Sequence, residues 1–369
     1  MSKPPLTYAA AGVDYARVDA LKVLAQQAAR ATARNAAGHG MREIGESRGE
    51  SAYVFEVGGL ILASITECLG TKSLVADAMR PISGRTHYDT IAQDTVATAV
   101  NDLVTVGATP LSVHAYWAAG DSEWHDDAAR TRDLVRGWQA ACDACGAVWG
   151  GGETPALAGL VQPGRIDLAA SAVGIVQGRD RLTLGANLAA GDAIVLLEAS
   201  GIHANGVSLA RKLAEQLPAG YRTPLADGRM FGEALLDATI LYPPVTAGVF
   251  AAGIRPKYAA NVTGHGWRKL MRHPAGFTYR IRAIPPVPPV LAFMQREAGM
   301  SARDAYGAFN MGAGFALFVA AADAERTVRA AAAAGVKAWV AGSVEAGPKR
   351  VIIEPLDVEY TADDLHLRD

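Results

Sequence analysis

Apolar and polar positions change period repeatedly along this chain. Residues 53–66, YVFEVGGLILASIT, read as strand pattern running into a turn at Glu67, which leaves a carboxylate at a strand end. The period then lengthens. Tyr88-Asp89-Thr90 reads as a helix start with Asp89 as N-cap and the periodic run beginning at Ile91. At about 100° per residue, Asp94, Thr98 and Asn101 share one stripe with Asp102 a little to its side, while Val96, Ala99, Val100, Leu103 and Val104 fall opposite. That predicts one buried face and one acidic face. A solvated polar face is the plain reading of such a helix. No lysine or arginine lies between Arg85 and Arg130 to neutralise these acids, so an external cation is the sharper one. Glu67, Asp94, Asn101 and Asp102 together offer the hard oxygen donors that suit Mg²⁺.

Alternation continues downstream. A strand is predicted at 111–120, a helix from about Asp126 to Cys145 closed by Gly146, and a strand at 147–155 that ends in a glycine turn carrying Glu153. A further strand follows at 166–177. The segment GANLAAG at 185–191 reads as a boundary, giving domains over 1–184 and 185–369. Beyond it come a strand at 192–200, a turn and helix at 201–217, and a helix at 235–252 interrupted by Pro243 and Pro244. The last third holds apolar runs at 288–298 and 309–320, a helix near 323–334, and two closing strands. Strands mixed with helices that can cover one face of a sheet predict α+β, with a two-layer sandwich in each half.

Composition narrows the function. The chain has 369 residues, long for one domain, and 35 Lys plus Arg against 37 Asp plus Glu, so no overall field invites nucleic acid or an anionic membrane. The start MSKPPLTYAAAGVDYARVDALK lacks an apolar secretory core, and no segment holds the eighteen or so apolar residues of a membrane span. A cytoplasmic location is expected. Cys68, Cys142 and Cys145 make no disulfide framework, and the C-x-x-C at 142–145 reads as helix packing rather than as a zinc or redox site.

Four glycine turns place polar side chains at element boundaries. GGGET at 150–154 sets Glu153 after residues that allow close backbone approach to a ligand. SGIHANG at 200–206 sets His203 and Asn205 where a helix opens, a place where backbone N–H groups hold anions, although a lone histidine there reads more often as a cap or surface residue. NVTGHGWRKL at 261–270 and NMGAGF at 310–315 follow the same logic.

These motifs, in order, resemble the aminoimidazole ribonucleotide synthetase family, also called phosphoribosylformylglycinamidine cyclo-ligase. Its wider superfamily includes formylglycinamidine ribonucleotide synthetase, selenophosphate synthetase, a hydrogenase maturation factor and thiamine-monophosphate kinase. The similarity runs from about Tyr8 to Ile353 through AGVD at 11–14, TECLGTK at 66–72, Asp89, Asp94, VND at 100–102, GGET at 151–154, SGIHANG, TGHG at 263–266 and NMGAG at 310–314. The chain departs from the family at Glu67-Cys68, where the family has Asp-Gly, at GESRGESAY (45–53), where its Gly-Gly-Phe-Gly stretch is missing, and at His265, where it has glycine. WRKLMR at 267–272 stands where the family usually has Glu-Asn-Ile-Pro-Arg.

The resemblance implies two α/β sandwich domains, a ferredoxin-like second one, and a homodimer whose first-domain strands close a barrel. It implies ATP and Mg²⁺ as cofactors and ring closure of a phosphoribosyl amidine as the reaction. By resemblance the first domain binds nucleotide through Asp14, Gly70, Thr71, Lys72, Asp89, Gly151, Gly152, Glu153 and Thr154. The second binds substrate through Ser200, His203, Thr263, Gly264, His265 and Asn310, with His203, Asn205 and Lys72 in catalytic roles. Another amide-activating enzyme or small-molecule kinase of the superfamily, or a partner subunit without turnover, stands as the alternative.

Overall fold

The computed structural model describes residues 15–365, with side chains from position 20, so Asp14 and the AGVD motif lie outside the described residues. The first mixed sheet holds β1 (Met41–Glu43), β2 (Tyr53–Val57), β3 (Leu60–Cys68), β4 (Thr109–Ala119), β5 (Val148–Glu153) and β6 (Ile166–Val176), in the order β1-β2-β3-β6-β4-β5. The helices of this half are α1 (Tyr15–Thr32), α2 (Lys72–Ser83), α3 (Tyr88–Val104) and α4 (Ala128–Cys145). The stretch read as a single strand before Glu67 is a hairpin. Gly58 and Gly59, at φ 57° and 80°, form the two-residue turn that only positive φ at both positions allows.

Strand β6 alternates strictly. Ile166, Leu168, Ala170, Ala172 and Val176 are buried and the residues between them are less so. The buried row meets α3 closely enough that a Cβ on Gly174 would lie 2.8 Å from Leu103 Cδ2. On the other face Leu62, Val173 and Ile175 are half-buried.

The second sheet holds β7 (Ala193–Glu198), β8 (Tyr258–Asn261), β9 (Phe277–Ile281), β10 (Ala313–Val319), β11 (Ala338–Ala346), β12 (Arg350–Ile353) and β13 (Val358–Thr361), ordered β13-β12-β9-β11-β7-β10-β8. Its helices are α5 (Val207–Gln216), α6 (Phe231–Leu235), α7 (Pro243–Ala251), α8 (Pro289–Glu297), α9 (Ala302–Ala308) and α10 (Ala324–Ala333). Every residue of β10 is buried, because α7 and α10 cover Phe315, Leu317 and Val319 while Ala316 and Phe318 belong to the main core. Burial on both faces explains an apolar run without alternation.

Of the helix read over 235–252 only α7 forms, and Leu235 is the last residue of α6. Between them, residues 236–242 carry no regular structure and lie along α3. There Asp94 and Asn101 of the polar stripe are neither solvated nor open to a ligand, while Thr98 and Asp102 line a cavity. Asp94 Oδ1 accepts from Thr239 N (2.7 Å) and Thr239 Oγ1 (2.5 Å). Asn101 Nδ2 donates to Ile240 O (2.8 Å) and its Oδ1 accepts from Tyr242 N (2.8 Å). Gln93 donates to Thr239 O at 2.9 Å. Lys72, from the start of α2, is fully buried and pairs with Asp94 Oδ2 at 2.7 Å while donating to Asp237 O at 2.9 Å. The base that Asp94 needs thus comes from another helix, and the stripe joins the two halves.

Asp89 is likewise not the N-cap. His87 stands there, at φ 60°, and Asp89 sits in the first turn facing Arg85 and Arg136 at 3.8 Å each.

The seam predicts an asymmetry. Lys72→Met leaves a buried carboxylate unpaired and is expected to cost about 3–5 kcal/mol, whereas adding Asp94→Asn, which keeps an acceptor for Thr239, recovers much of the loss. Urea unfolding of the two variants measures this, and a single variant as stable as the parent would refute it. The cysteines follow a second expectation. Cys142 and Cys145 are buried on α4, and burial pushes their thiols up to about 11 and about 12, away from thiolate chemistry. Replacing both with Ala should cost on the order of 1–3 kcal/mol of stability and no activity; zinc in the purified protein, lost with activity in that variant, would contradict it.

Candidate active site

A cleft runs between the two domains as two adjoining cavities of about 720 and 310 Å³. Both are lined by Glu67, Asp102, Asn205, Thr263 and Lys269. The larger reaches Lys22 on α1, Arg48, Ser64 on β3 and Arg272, and the smaller reaches Gly70, Thr71 and the first residues of α5.

Of the four expected metal donors, only Glu67 and Asp102 reach this cleft. Asp94 and Asn101 are spent in the seam, and burial pushes the Asp94 carboxyl up while Lys72 and Thr239 pull it back. Burial, reinforced by Asp102, pushes Glu67 up to about 7. Asp102 is held by Asn261, whose Nδ2 donates to Oδ1 at 2.7 Å. Among the described residues no group of three or more His, Cys, Asp and Glu is placed to hold a metal ion. Two carboxylates still fit Mg²⁺ where phosphate oxygens and water complete its shell.

Lys269 is the residue that sequence reasoning missed. It follows the 263–266 turn, is 8 % exposed, and its ammonium donates to Thr263 Oγ1. Burial lowers it to about 8, against the attraction of Asp102 and Glu67. The available signal was a charged triplet, Arg268-Lys269 and Arg272, inside an otherwise apolar stretch. Arg272 is braced by Gly49 O at 3.0 Å and Ser51 Oγ at 2.7 Å.

The remaining expected residues divide. Gly70 and Thr71 line the smaller cavity, Gly264 and His265 the larger, and Thr263 and Asn205 both. Lys72, buried with Asp94, does not face the cleft. Gly151, Gly152, Glu153 and Thr154 sit at the β5 edge, three strands from β3, or roughly 14 Å at the usual strand spacing. Asp89 faces α4. Ser200 Oγ donates to Ala238 O at 2.6 Å, and Asn310 ties two turns together, donating to Gly201 O and accepting from Gly312 N.

His203 is buried behind Asn205, at φ 58°, with Nε2 accepting from Ser200 N at 3.2 Å. Burial, aided by nearby Lys72, lowers its ring to about 3, so it is neutral and holds the turn. Between the ordinary value of 6.5 and about 3 the unfolded chain binds a proton that the folded chain does not, so His203 removes stability as pH falls through that window. His203→Asn, which tolerates the left-handed backbone, should therefore flatten the loss by up to about 1.4 kcal/mol per pH unit below 6.5. Equal pH slopes of unfolding free energy in parent and variant would refute a buried neutral imidazole.

Residues 49–176 match the N-terminal domain of AIR synthase related protein, and residues 189–354 its C-terminal domain. The chain is 34 % identical over 357 residues to a phosphoribosylformylglycinamidine cyclo-ligase of Carboxydothermus hydrogenoformans, covering 94 % of this chain and 98 % of the relative. It is 33 % identical to that of Paraburkholderia phymatum, covering 92 % of each. Among solved structures, tt0281 from Thermus thermophilus superposes with a TM-score of 0.54 at 20 % identity, over 84 % of this chain and 90 % of that one. AaThiL complexed with AMPPCP and TMP does so with 0.56 at 16 %, over 85 % and 90 %, and these two likenesses speak for the fold. With both domains matched in order and a third of its residues shared with relatives along nearly their whole length, the chain belongs to the AIR synthase related family.

Proposed function

We propose that this chain uses ATP to close the ring of formylglycinamidine ribonucleotide, giving aminoimidazole ribonucleotide. The observation that supports this reading is the interdomain cleft, where acids of one domain face cations of the other, in a chain a third identical to named cyclo-ligases. In the reaction the formyl amide oxygen attacks the γ-phosphorus and ADP leaves. An amidine nitrogen then attacks the activated carbon, the C–O bond breaks, phosphate departs, and the nitrogen gives up a proton.

Positioning and charge neutralisation are what the protein adds. The smaller cavity, with Gly70, Thr71 and the N-terminal residues Val207 and Ser208 of α5, suits a phosphate chain. Lys269 sets positive charge beside it, Arg272, which also faces Glu50 at 3.6 Å, lines the larger cavity, and Asn205 offers an amide to orient the reacting group. Magnesium, when bound, would be held by Glu67 and Asp102 and would neutralise phosphate charge.

The same reading includes a homodimer on the outer face of the first sheet, where Leu60, Tyr116 and Val148 are 52 %, 36 % and 67 % exposed. Closing a barrel there is the route by which Gly151, Gly152, Glu153 and Thr154 could meet a nucleotide. It also includes a ferredoxin-like second domain and a cytoplasmic location.

Incubation with ATP, Mg²⁺ and formylglycinamidine ribonucleotide should yield ADP, phosphate and the cyclised product. ADP without cyclisation would point to another amide-activating enzyme or kinase of the superfamily, and nucleotide binding without ADP to a partner subunit. Asn205→Ala is expected to lower kcat at least tenfold, about 1.4 kcal/mol of barrier, with ATP affinity near the parent's. Unchanged turnover in that variant would remove Asn205 from the reaction.

A further inference from the structure

The acid end of the cleft shares its wall with a cation supplied by the protein itself. Glu67 and Asp102 belong to the first domain, Lys269 to the second, and all three line both cavities. Among the described residues the Glu67 side chain makes no hydrogen bond, and Asp102 is held through one oxygen by Asn261. Lys269 is equally committed to the place. Its stem is buried, and of its three N–H donors one goes to Thr263 Oγ1. An ammonium removed from water is costly unless opposite charge lies close, and Glu67 and Asp102 are the carboxylates that attract it.

Charge balance follows from this arrangement. Lys269, with Arg272 and Lys22 acting on Glu67 from further along the same cavity, already sets positive charge against the two acids without a further cation. A divalent ion seated between the same carboxylates would have to face the ammonium, which is held by Thr263. Repulsion between them opposes entry as long as no other anion is present. Phosphate oxygens change the balance, since they add negative charge and also supply metal ligands.

We propose that Lys269 is the resident counter-ion of the Glu67–Asp102 pair, excluding free divalent cations from these acids until a polyphosphate arrives. The last step rests on the reading of the cleft as a nucleotide site, but the exclusion does not. It is therefore tested without nucleotide and without turnover.

Mn²⁺ titration of the full chain, followed by the loss of the free-ion electron paramagnetic resonance signal, measures it. Lys269→Met should bind one Mn²⁺ at least tenfold more tightly than the parent, and Lys269→Met combined with Asp102→Asn should lose that gain. Lys269→Arg, which keeps the charge, should titrate like the parent. Equal Mn²⁺ affinity in the parent and folded Lys269→Met would overturn the proposal. So would a parent that binds one Mn²⁺ tightly without nucleotide and loses it in Asp102→Asn, a result that needs no change at Lys269 and holds even where Lys269→Met fails to fold. Failure of the cyclisation assay with these titrations as expected would overturn the assigned reaction and leave the counter-ion role intact.

Discussion

The buried pair of Lys72 and Asp94 is the interaction on which the arrangement of the two domains depends. Taking both charges out of water is expensive, and their attraction compensates only with good geometry and further hydrogen bonds. Asp94 has them from Thr239 and Lys72 from Asp237 O. These partners come from the irregular segment 236–242, which has no ladder or helix of its own to satisfy its backbone. Ile240 O and Tyr242 N turn to Asn101 for that reason. The seam is specific because sliding one domain by a single residue would leave several buried polar groups without partners, each worth about 1–3 kcal/mol.

Fixing the domains fixes the cleft. Its acids Glu67 and Asp102 lie near the ends of β3 and α3, while Asn205, Lys269 and Arg272 come from the second domain. The buried ammonium of Lys269 comes from one half and the carboxylates of Glu67 and Asp102 from the other. Chemistry that must gather phosphate oxygens and an amide oxygen in one line needs such fixed, opposed groups, because water would otherwise have to reorganise around the charge that develops. The pull of Glu67 and Asp102 on Lys269 also crosses the domain boundary, and adds to the seam at a second point.

Much of this was legible in the chain, and the rest was hidden for identifiable reasons. The period of α3, the alternation of β6 and the Gly146 cap of α4 are local properties, and local patterns reveal them. The polar stripe of α3 was also legible, but periodicity cannot tell water from another polar surface. Its partners stand 22 positions before Asp94, at Lys72, and 145 after it, at Thr239. The motif positions Glu67, Gly70, Asn205 and Thr263 do converge on one cleft, whereas Asp94, Asn101 and Lys72 converge on the seam. Both sets look alike in sequence, since each needs the same buried polar side chains. Lys269 escaped because a single lysine after a glycine turn reads as surface charge until the turn is seen folded over two carboxylates.

The seam and the wall of the cleft share one side chain. Tyr242, held by Asn101 through its backbone N–H, sends its hydroxyl to Glu198 O at 2.7 Å at the end of β7. Its ring packs against His203, and both crowd Gly314, where a Cβ would lie 2.0 Å from the Tyr242 hydroxyl and 2.7 Å from His203 Cε1. Glycine at 314 is therefore required by the close approach of two rings rather than by a turn. His203 in turn closes the loop through Ser200 N, and Asn310 secures the same loop through Gly201 O. Asn205 stands at the end of this series, facing the cavity with Ala204 and Gly206 from a turn whose Gly201, Ile202 and His203 are buried. The position of the Asn205 amide is thus set by the same contacts that hold the domains together. A polar side chain placed by a buried neutral histidine keeps its orientation across the pH range in which an exposed histidine would change charge, which suits the orienting role proposed for Asn205.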